Sequence, residues 1–285
     1  MNKYLQELRI ILYGYNQGIN KIILANVCIF LLLSIFKVIT TLSSSTGIFN
    51  EIFTWLALPS NPKEFIFKPW TIVTYFFVHI DLFHILFNML FLYWFGTLLK
   101  DFIGEKSIIQ TYFLGALSAG IIYLIIMNNV GFFVQRGQGL LNGASGGIYA
   151  IVVGLATIKP YYKIRLLFFG MVPIIFIAAF YVIWSFIETT GNNAGGNIAH
   201  LGGALYGLFF GLKFKNKISL PRKEKVFSIF QNEDKYSNLN RKKNLEDPID
   251  DSEIDDILDK ISKSGYDSLT KFEKKRLFKA SQKNE

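Results

Sequence analysis

The sequence predicts an all-α polytopic membrane protein: a six-transmembrane-helix bundle followed by a small C-terminal helical hairpin. Three observations predict it. Of 285 residues, 51% are hydrophobic and 16% aromatic, gathered in long runs, a combination soluble domains do not show. Lys and Arg cluster at alternate ends of those runs. The only histidines, His79, His84 and His200, all lie within or at the edge of apolar runs, and none falls in the polar tail. The net charge of +9 raises nucleic acid as a partner. The basic residues sit at run ends and in the tail, so membrane topology accounts for them and nucleic-acid binding is not expected. Cys28, alone, forms no internal disulfide.

Residues 1–20 space Tyr4, Leu5, Leu8, Ile11, Leu12 and Tyr15 around Lys3, Glu7 and Arg9. This is an amphipathic segment, lying on the membrane surface or packed under the bundle. It lacks the pattern of a cleavable signal peptide. A six-span domain over 21–214 follows, with apolar segments at 22–42, 72–99, 107–127, 143–158, 166–188 and 197–213. The loop over 43–71 is rich in aromatic and apolar residues, as suits a segment lying partly in the interface. The fourth segment is short, at about 16 residues against the ~20 a bilayer requires. Its N-terminus, carrying Ser145, therefore starts inside the membrane, which is tolerated where it is buried in protein or lines water.

Lys3, Arg9, Lys21, Lys100, Lys106, Lys159, Lys163, Arg165, Lys213 and Lys215 all fall on one side of a six-span chain, against Lys63, Lys68 and Arg136 on the other. The positive-inside rule puts both termini in the cytoplasm and Ser145 toward the outer side. Residues 215–249 are a polar linker. Over 250–285, Ile254, Ile257, Leu258 and Ile261 repeat at helical spacing, Gly265 stops that helix, and Thr270-Lys271-Phe272-Glu273 is a capping box opening another with Leu277 and Phe278. A small cytoplasmic helical hairpin is expected there.

The chemistry centres on Gly143-Ala144-Ser145-Gly146-Gly147. Gly-x-Ser-x-Gly is the pattern of a nucleophile elbow in soluble hydrolases, whose fold needs a strand before the serine; none is read here. The alternative is a small-residue packing face, since Gly143 and Gly147 are four apart. Gly203 and Gly207 make a similar face one turn after His200. Two glycine faces allow the fourth and sixth spans to approach closely, bringing His200 within reach of Ser145 as an activating base. No acidic residue is placed to orient His200; Tyr149, one turn after Ser145, can stack on it, giving a dyad. His84 and Asn88 are i and i+4 on one helix face, with His79 about a turn earlier, and their donors suit an oxyanion. A zinc site built from the three histidines is the rival reading, weakened by the spacing of five between His79 and His84. For Asn88 the rival is a helix–helix hydrogen bond.

These motifs resemble those of the rhomboid intramembrane serine proteases. That family's pattern is an HxxxN pair on the second span, GxSG opening the fourth and AHxxGxxxG on the sixth. Here they read His84 to Asn88, Gly143-Ala144-Ser145-Gly146, and Ala199-His200 through Gly203 to Gly207. The resemblance covers about 20–215. It implies Ser145 as nucleophile, His200 as general base, an oxyanion hole of His84, Asn88 and the Ser145 backbone N–H, Tyr149 stacked on His200, and His79 hydrogen-bonding near the cavity mouth. It implies neither metal nor cofactor. The substrate would be a membrane protein with a helix-destabilised transmembrane segment, cut within the lipid bilayer, and no oligomeric state is implied. The location would be a bacterial inner (plasma) membrane. Trp70 matches a first-loop tryptophan of the family, but Thr71 stands where arginine is common. The tail resembles a helical extension on some bacterial members. A catalytically inactive rhomboid-like protein that binds membrane helices is the alternative, and a channel or transporter is a further one. The glycine-rich stretch 189–196 is expected to be mobile and, with the fifth span, to form a lateral gate.

Overall fold

The computed structural model describes residues 17–166, 170–215, 251–264 and 269–281. Residues 1–16 of the amphipathic segment, nearly all of the linker, and Gly265 lie outside them. The chain separates into two compact units, the first ending at residue 218.

The first unit is built of helices. Among the described residues three helices are long and apolar enough to cross a membrane: α1 (Gln17–Leu42), then, after the first loop, α5 (Leu82–Ile103) and α6 (Glu105–Asn129). The loop between α1 and α5 folds into α2 (Thr46–Leu56), a short strand β1 (Leu58–Pro59), α3 (Pro62–Phe67), α4 (Thr71–Thr74) and a 3₁₀ turn over Tyr75–Phe77. After α6 come α7 (Gly131–Gln135), strand β2 (Leu140–Leu141), α8 (Ser145–Ile158), the hairpin β3 (Lys163–Leu166) and β4 (Gly170–Pro173), α9 (Ile174–Ile187) and α10 (Ala194–Lys215). α8 and α9 have 14 residues each. Large apolar side chains are exposed along α1 (Leu32, Ile35), α5 (Phe83, Trp94) and α9 (Phe176, Phe180). Helices apolar on their outer faces as well as their inner ones need lipid around them, and the chain is a membrane protein.

α8 is the buried centre of the bundle, packed between α6 and α10. Backbone closeness makes this possible. A Cβ on Gly203 would lie 2.0 Å from the Gly146 carbonyl oxygen, and one on Gly207 would lie 2.4 Å from that of Ala150. The two helices thus meet at backbone level, as expected. The register differs from the expectation: α10 meets Gly146, Ala150 and Gly154, whereas Gly147 turns toward Tyr112 of α6 and Gly143 toward His84. The chain carries overlapping small-residue spacings here, and spacing alone does not choose between them.

Two segments read as continuous helices are not. Residues 72–81 of the second segment are α4, the 3₁₀ turn and extended chain; the long helix begins at Leu82, where the Asp81 carboxylate caps the His84 N–H at 2.8 Å. The described residues at the start of the fifth segment belong to the paired strands β3 and β4, with Lys163 opposite Pro173 and Ile164 opposite Val172. Gly170, at φ +69°, and Pro173 account for this break. Part of the stretch 189–196 is regular structure: a 3₁₀ turn covers Glu188–Thr190 and α10 begins at Ala194. The Arg136 guanidinium donates to the Thr190 carbonyl at 2.8 Å and the Asn197 amide to that of Glu188 at 3.0 Å.

Thr71 does not leave the first loop unanchored. Its hydroxyl donates to the Lys68 carbonyl at 2.6 Å. Trp70 stacks on Trp55 with ring centres 5.5 Å apart, and its indole N–H donates to the Trp55 carbonyl at 2.9 Å. The Lys68 ammonium lies 5.0 Å over the Trp55 ring. A cation on an aromatic face supplies the anchor without an arginine.

In the second unit, α11 (Asp251–Ser264) and α12 (Lys271–Ser281) pack on each other. Thr270 and Glu273 form a reciprocal capping box, with 2.7 Å from the Thr270 N–H to the Glu273 carboxylate and 3.2 Å from the Glu273 N–H to the Thr270 hydroxyl. Lys260 of α11 pairs with Glu273 at 2.8 Å.

Candidate active site

Ser145 is held by what precedes it. β1 and β2 pair antiparallel, Leu58 opposite Leu141, so a short strand does lie before the serine, although it belongs to a two-stranded ribbon and not to a hydrolase sheet. Ser60 extends the pairing, its N–H donating to the Gly139 carbonyl at 2.9 Å. Next, the Gly143 N–H donates to the Tyr75 carbonyl at 2.9 Å and the Ala144 N–H to His79 Nε2 at 3.2 Å. Gly143 has φ +112°, and a Cβ there would sit 2.6 Å from His84 Cε1. Both facts require glycine. α8 then starts at Ser145, where the first N–H groups have no intrahelical acceptor and the helix dipole favours negative charge.

His200 comes from the second turn of α10, across the glycine interface. Its Nε2 lies 2.8 Å from Ser145 Oγ. The Tyr149 ring stacks on the imidazole at 4.2 Å with the planes 10° apart. His79 and Asn88 meet on the other wall. Because Ala144 N–H is a donor, His79 Nε2 is the acceptor nitrogen, so the Asn88 amide Nδ2, 3.0 Å away, donates to it as well. His79 is fully buried on the extended segment before α5 and is not one turn earlier on the helix. It therefore ties Asn88 to the backbone just before Ser145. His84 packs edge-on to His79 with ring centres 5.0 Å apart.

A cavity of about 560 Å³ joins these groups. His84, Asn88, Ser145, Tyr149 and His200 supply its polar wall, and Phe87, Phe91 and Val152 are among its apolar lining. The sequence-predicted residues converge, with Gly203 and Gly207 behind them in the α8–α10 interface. The zinc reading requires the three histidines to share one ion. His79 Nε2 is engaged by Asn88 and Ala144, and both nitrogens of His200 are engaged, by Ser145 and by a residue the sequence did not single out. That residue is Ser185 on α9, fully buried, whose Oγ lies 3.1 Å from His200 Nδ1 and 2.8 Å from the Tyr149 hydroxyl. Its signal was available as a hydroxyl inside an otherwise apolar run.

Chemically, a hydroxyl hydrogen-bonded to an imidazole, at a helix N-terminus and facing side-chain donors, has the parts needed for acyl transfer.

The pattern of the rhomboid domain family matches residues 67–217, and that of a family of unknown function matches residues 233–283, reaching into the stretch read as linker. "RHOMBOID-like protein 12, mitochondrial" of Arabidopsis thaliana is 33% identical over 144 residues, 47% of this chain and 43% of its own length. "Presenilin-associated rhomboid-like protein, mitochondrial" of Rattus norvegicus is 28% identical over 163 residues, 54% of this chain and 40% of its own. "Rhomboid protease GlpG" of Salmonella paratyphi A is 26% identical over 160 residues, 56% of this chain and 53% of its own. The chain thus spans about half or less of the length of these relatives.

Proposed function

The chain belongs to the rhomboid family, and from that premise we propose that it is an intramembrane serine endopeptidase working through Ser145 and His200. The observation that carries the reading is the 2.8 Å contact between Ser145 Oγ and His200 Nε2 inside a cavity that also holds His84 and Asn88.

In this reading Ser145 Oγ attacks a peptide carbonyl carbon and its proton passes to His200 Nε2. The electron pair displaced onto the carbonyl oxygen is stabilised by His84, Asn88 and the Ser145 backbone N–H. Each well-placed donor of this kind is worth roughly 2.7–4 kcal/mol of barrier. His200 then returns the proton to the departing amine nitrogen, and water releases the acyl group by the reverse sequence of transfers. Tyr149 and His79 support the site, and Gly143, Gly203 and Gly207 give its elements room to approach. No metal or organic cofactor has a part in it.

The substrate is a membrane protein whose transmembrane helix is destabilised near its outer end, since a peptide bond must leave its helix to be attacked. The apolar groove between α5 and α9, lined by Phe91, Trp94, Phe180 and Tyr181 among others, supports lateral entry between those helices. We read α1, α5, α6, α8, α9 and α10 as the six spans of a domain over 21–214, with both termini cytoplasmic, an N-terminal surface segment over 1–20, a linker over 215–249 and a cytoplasmic hairpin over 250–285. The bacterial inner membrane rests on the family resemblance alone, and two of the relatives named above, mitochondrial by name, run against it while the third is bacterial.

Cleavage of a single-span test substrate by purified protein, compared with Ser145→Ala and His200→Ala, tests this. Cleavage by the wild type alone supports the dyad. Equal cleavage by all three overturns it, and folded wild type that neither cleaves nor reacts at Ser145 favours a helix-binding rhomboid-like protein.

A further inference from the structure

His200 Nε2 is matched to Ser145, and its other nitrogen also needs a partner. In neutral imidazole one nitrogen donates and the other accepts. For Nε2 to accept the Ser145 proton, Nδ1 must carry hydrogen, and a buried N–H without an acceptor is costly. Carboxylates commonly meet this need in serine hydrolases, and among the described residues no carboxylate is bonded to His200 Nδ1. What lies there is Ser185 Oγ, at 3.1 Å.

The remaining contacts complete a chain in the polarity that leaves Nε2 as an acceptor. His200 Nδ1–H donates to Ser185 Oγ. The Ser185 hydroxyl donates to the Tyr149 oxygen at 2.8 Å, and the Tyr149 hydroxyl to the Tyr181 carbonyl at 3.5 Å. The reverse order, Tyr149 to Ser185 to Nδ1, would put the hydrogen on Nε2 and leave that nitrogen unable to accept from Ser145. Serine in a membrane helix ordinarily returns its hydroxyl to the carbonyl four residues earlier, here Tyr181. That carbonyl takes Tyr149 instead, and Ser185 is turned toward the histidine. The same tyrosine ring stacks on His200 at 4.2 Å, so tilt and tautomer of the imidazole are set by two neighbours that are bonded to each other.

We propose that Ser185 is a positioning residue for His200: its hydroxyl, backed by Tyr149, holds the imidazole in the tautomer that accepts the Ser145 proton. It neither gains nor loses a proton itself. The proposal rests on the protease reading above. It also makes the catalytic base depend on α9, because Ser185 is fixed to that helix while Ser145 and His200 are on α8 and α10.

The test is single-turnover cleavage of a single-span substrate, together with the rate of Ser145 labelling by a small phosphonate, for wild type, Ser185→Ala, Ser185→Thr, Tyr149→Phe and the double variant Ser185→Ala/Tyr149→Phe. Ser185→Ala is expected to lower the chemical step about 10- to 100-fold with little change in KM, less than loss of a triad carboxylate because the hydroxyl is neutral. Labelling slows in parallel, and Ser185→Thr, which restores a hydroxyl, recovers most of the rate. Tyr149→Phe keeps the stacking ring and loses the hydroxyl, so it slows the reaction in the wild-type background and adds nothing once Ser185 is alanine. A packing role alone gives neither the hydroxyl rescue nor the non-additivity. Wild-type rates in Ser185→Ala, or independent effects of the two substitutions, overturn the proposal while leaving the protease reading intact. A wild type that neither cleaves nor labels removes the protease reading, and this role with it. If Ser185→Ala does not fold, Tyr149→Phe decides: an unchanged rate overturns the proposal.

Discussion

α8 meets α10 and α5 faces α9 in two different ways. Toward α10, α8 presents backbone to backbone, and Gly203 and Gly207 leave no room for a methyl group. Between α5 and α9 the walls stand apart, enclosing about 930 Å³ of largely apolar groove with Phe91 and Tyr181 meeting edge-on at 5.6 Å. The proposed reacting pair is carried by the first kind of interface and the proposed entry route by the second. Close packing of rigid helices fixes two side chains to within a few tenths of an ångström, and such an interface does not open cheaply. A gap filled by bulky, adaptable rings can.

Breaking the tight side has the largest expected effect. Gly203→Ala forces a methyl group to within 2.0 Å of the Gly146 carbonyl. Separation of α8 from α10 should lower cleavage about 100-fold, the scale expected for a 1 Å misplacement of reacting groups. It should also destabilise the fold by about 1–3 kcal/mol; thermal unfolding in detergent beside a cleavage assay reads both. Closing the loose side comes next. In a Cys28→Ser background, cross-linking Phe91→Cys to Tyr181→Cys should reduce cleavage of a bilayer-embedded substrate about tenfold or more while leaving Ser145 reactive toward a small phosphonate. Equal loss of both activities would mean that the link damages the site itself, and no loss would remove the entry route.

This contrast also explains what could be read from the sequence. Polar residues are costly in an apolar span, so Ser145, His200, His84 and Asn88 stood out, and the glycines near two of them implied close approach. Register was not legible, because Gly143, Gly146, Gly147 and Gly154 offer competing faces and only the packed partner selects among them. Hydropathy did not separate a continuous helix from broken chain at 72–81, where the conformation is set by distant contacts such as the Tyr75 hydroxyl on the Ala116 carbonyl at 2.6 Å. At 166–173, Gly170 and Pro173 carried a local signal that the apolar run masked. Ser185 was passed over because a lone serine in a span usually bonds its own helix.

Smaller effects lie away from this contrast and serve as its controls. Lys68→Ala removes the cation over Trp55 and should cost about 0.5–1 kcal/mol, seen as a slightly lower thermal midpoint with the dyad unaffected. In the hairpin, partial burial raises the Glu273 carboxyl. The hydrogen bonds from Lys260 and Thr270 outweigh it and hold the group below the usual carboxylate value. With the folded value depressed, its stabilisation is present above the unfolded value and lost as pH falls through the folded one. Glu273→Gln, or acid in the wild type, should therefore speed hydrogen exchange over 271–281, corrected for intrinsic rates, with little change elsewhere.

The most direct test of the central claim is the site of phosphonate attachment. Wild type and His200→Ala would be treated with a serine-reactive phosphonate and the adduct located by peptide mass spectrometry. The Ser145–His200 geometry predicts an adduct on Ser145 in the wild type and its near-complete loss in His200→Ala. An unmodified Ser145, or equal modification in both proteins, would contradict it.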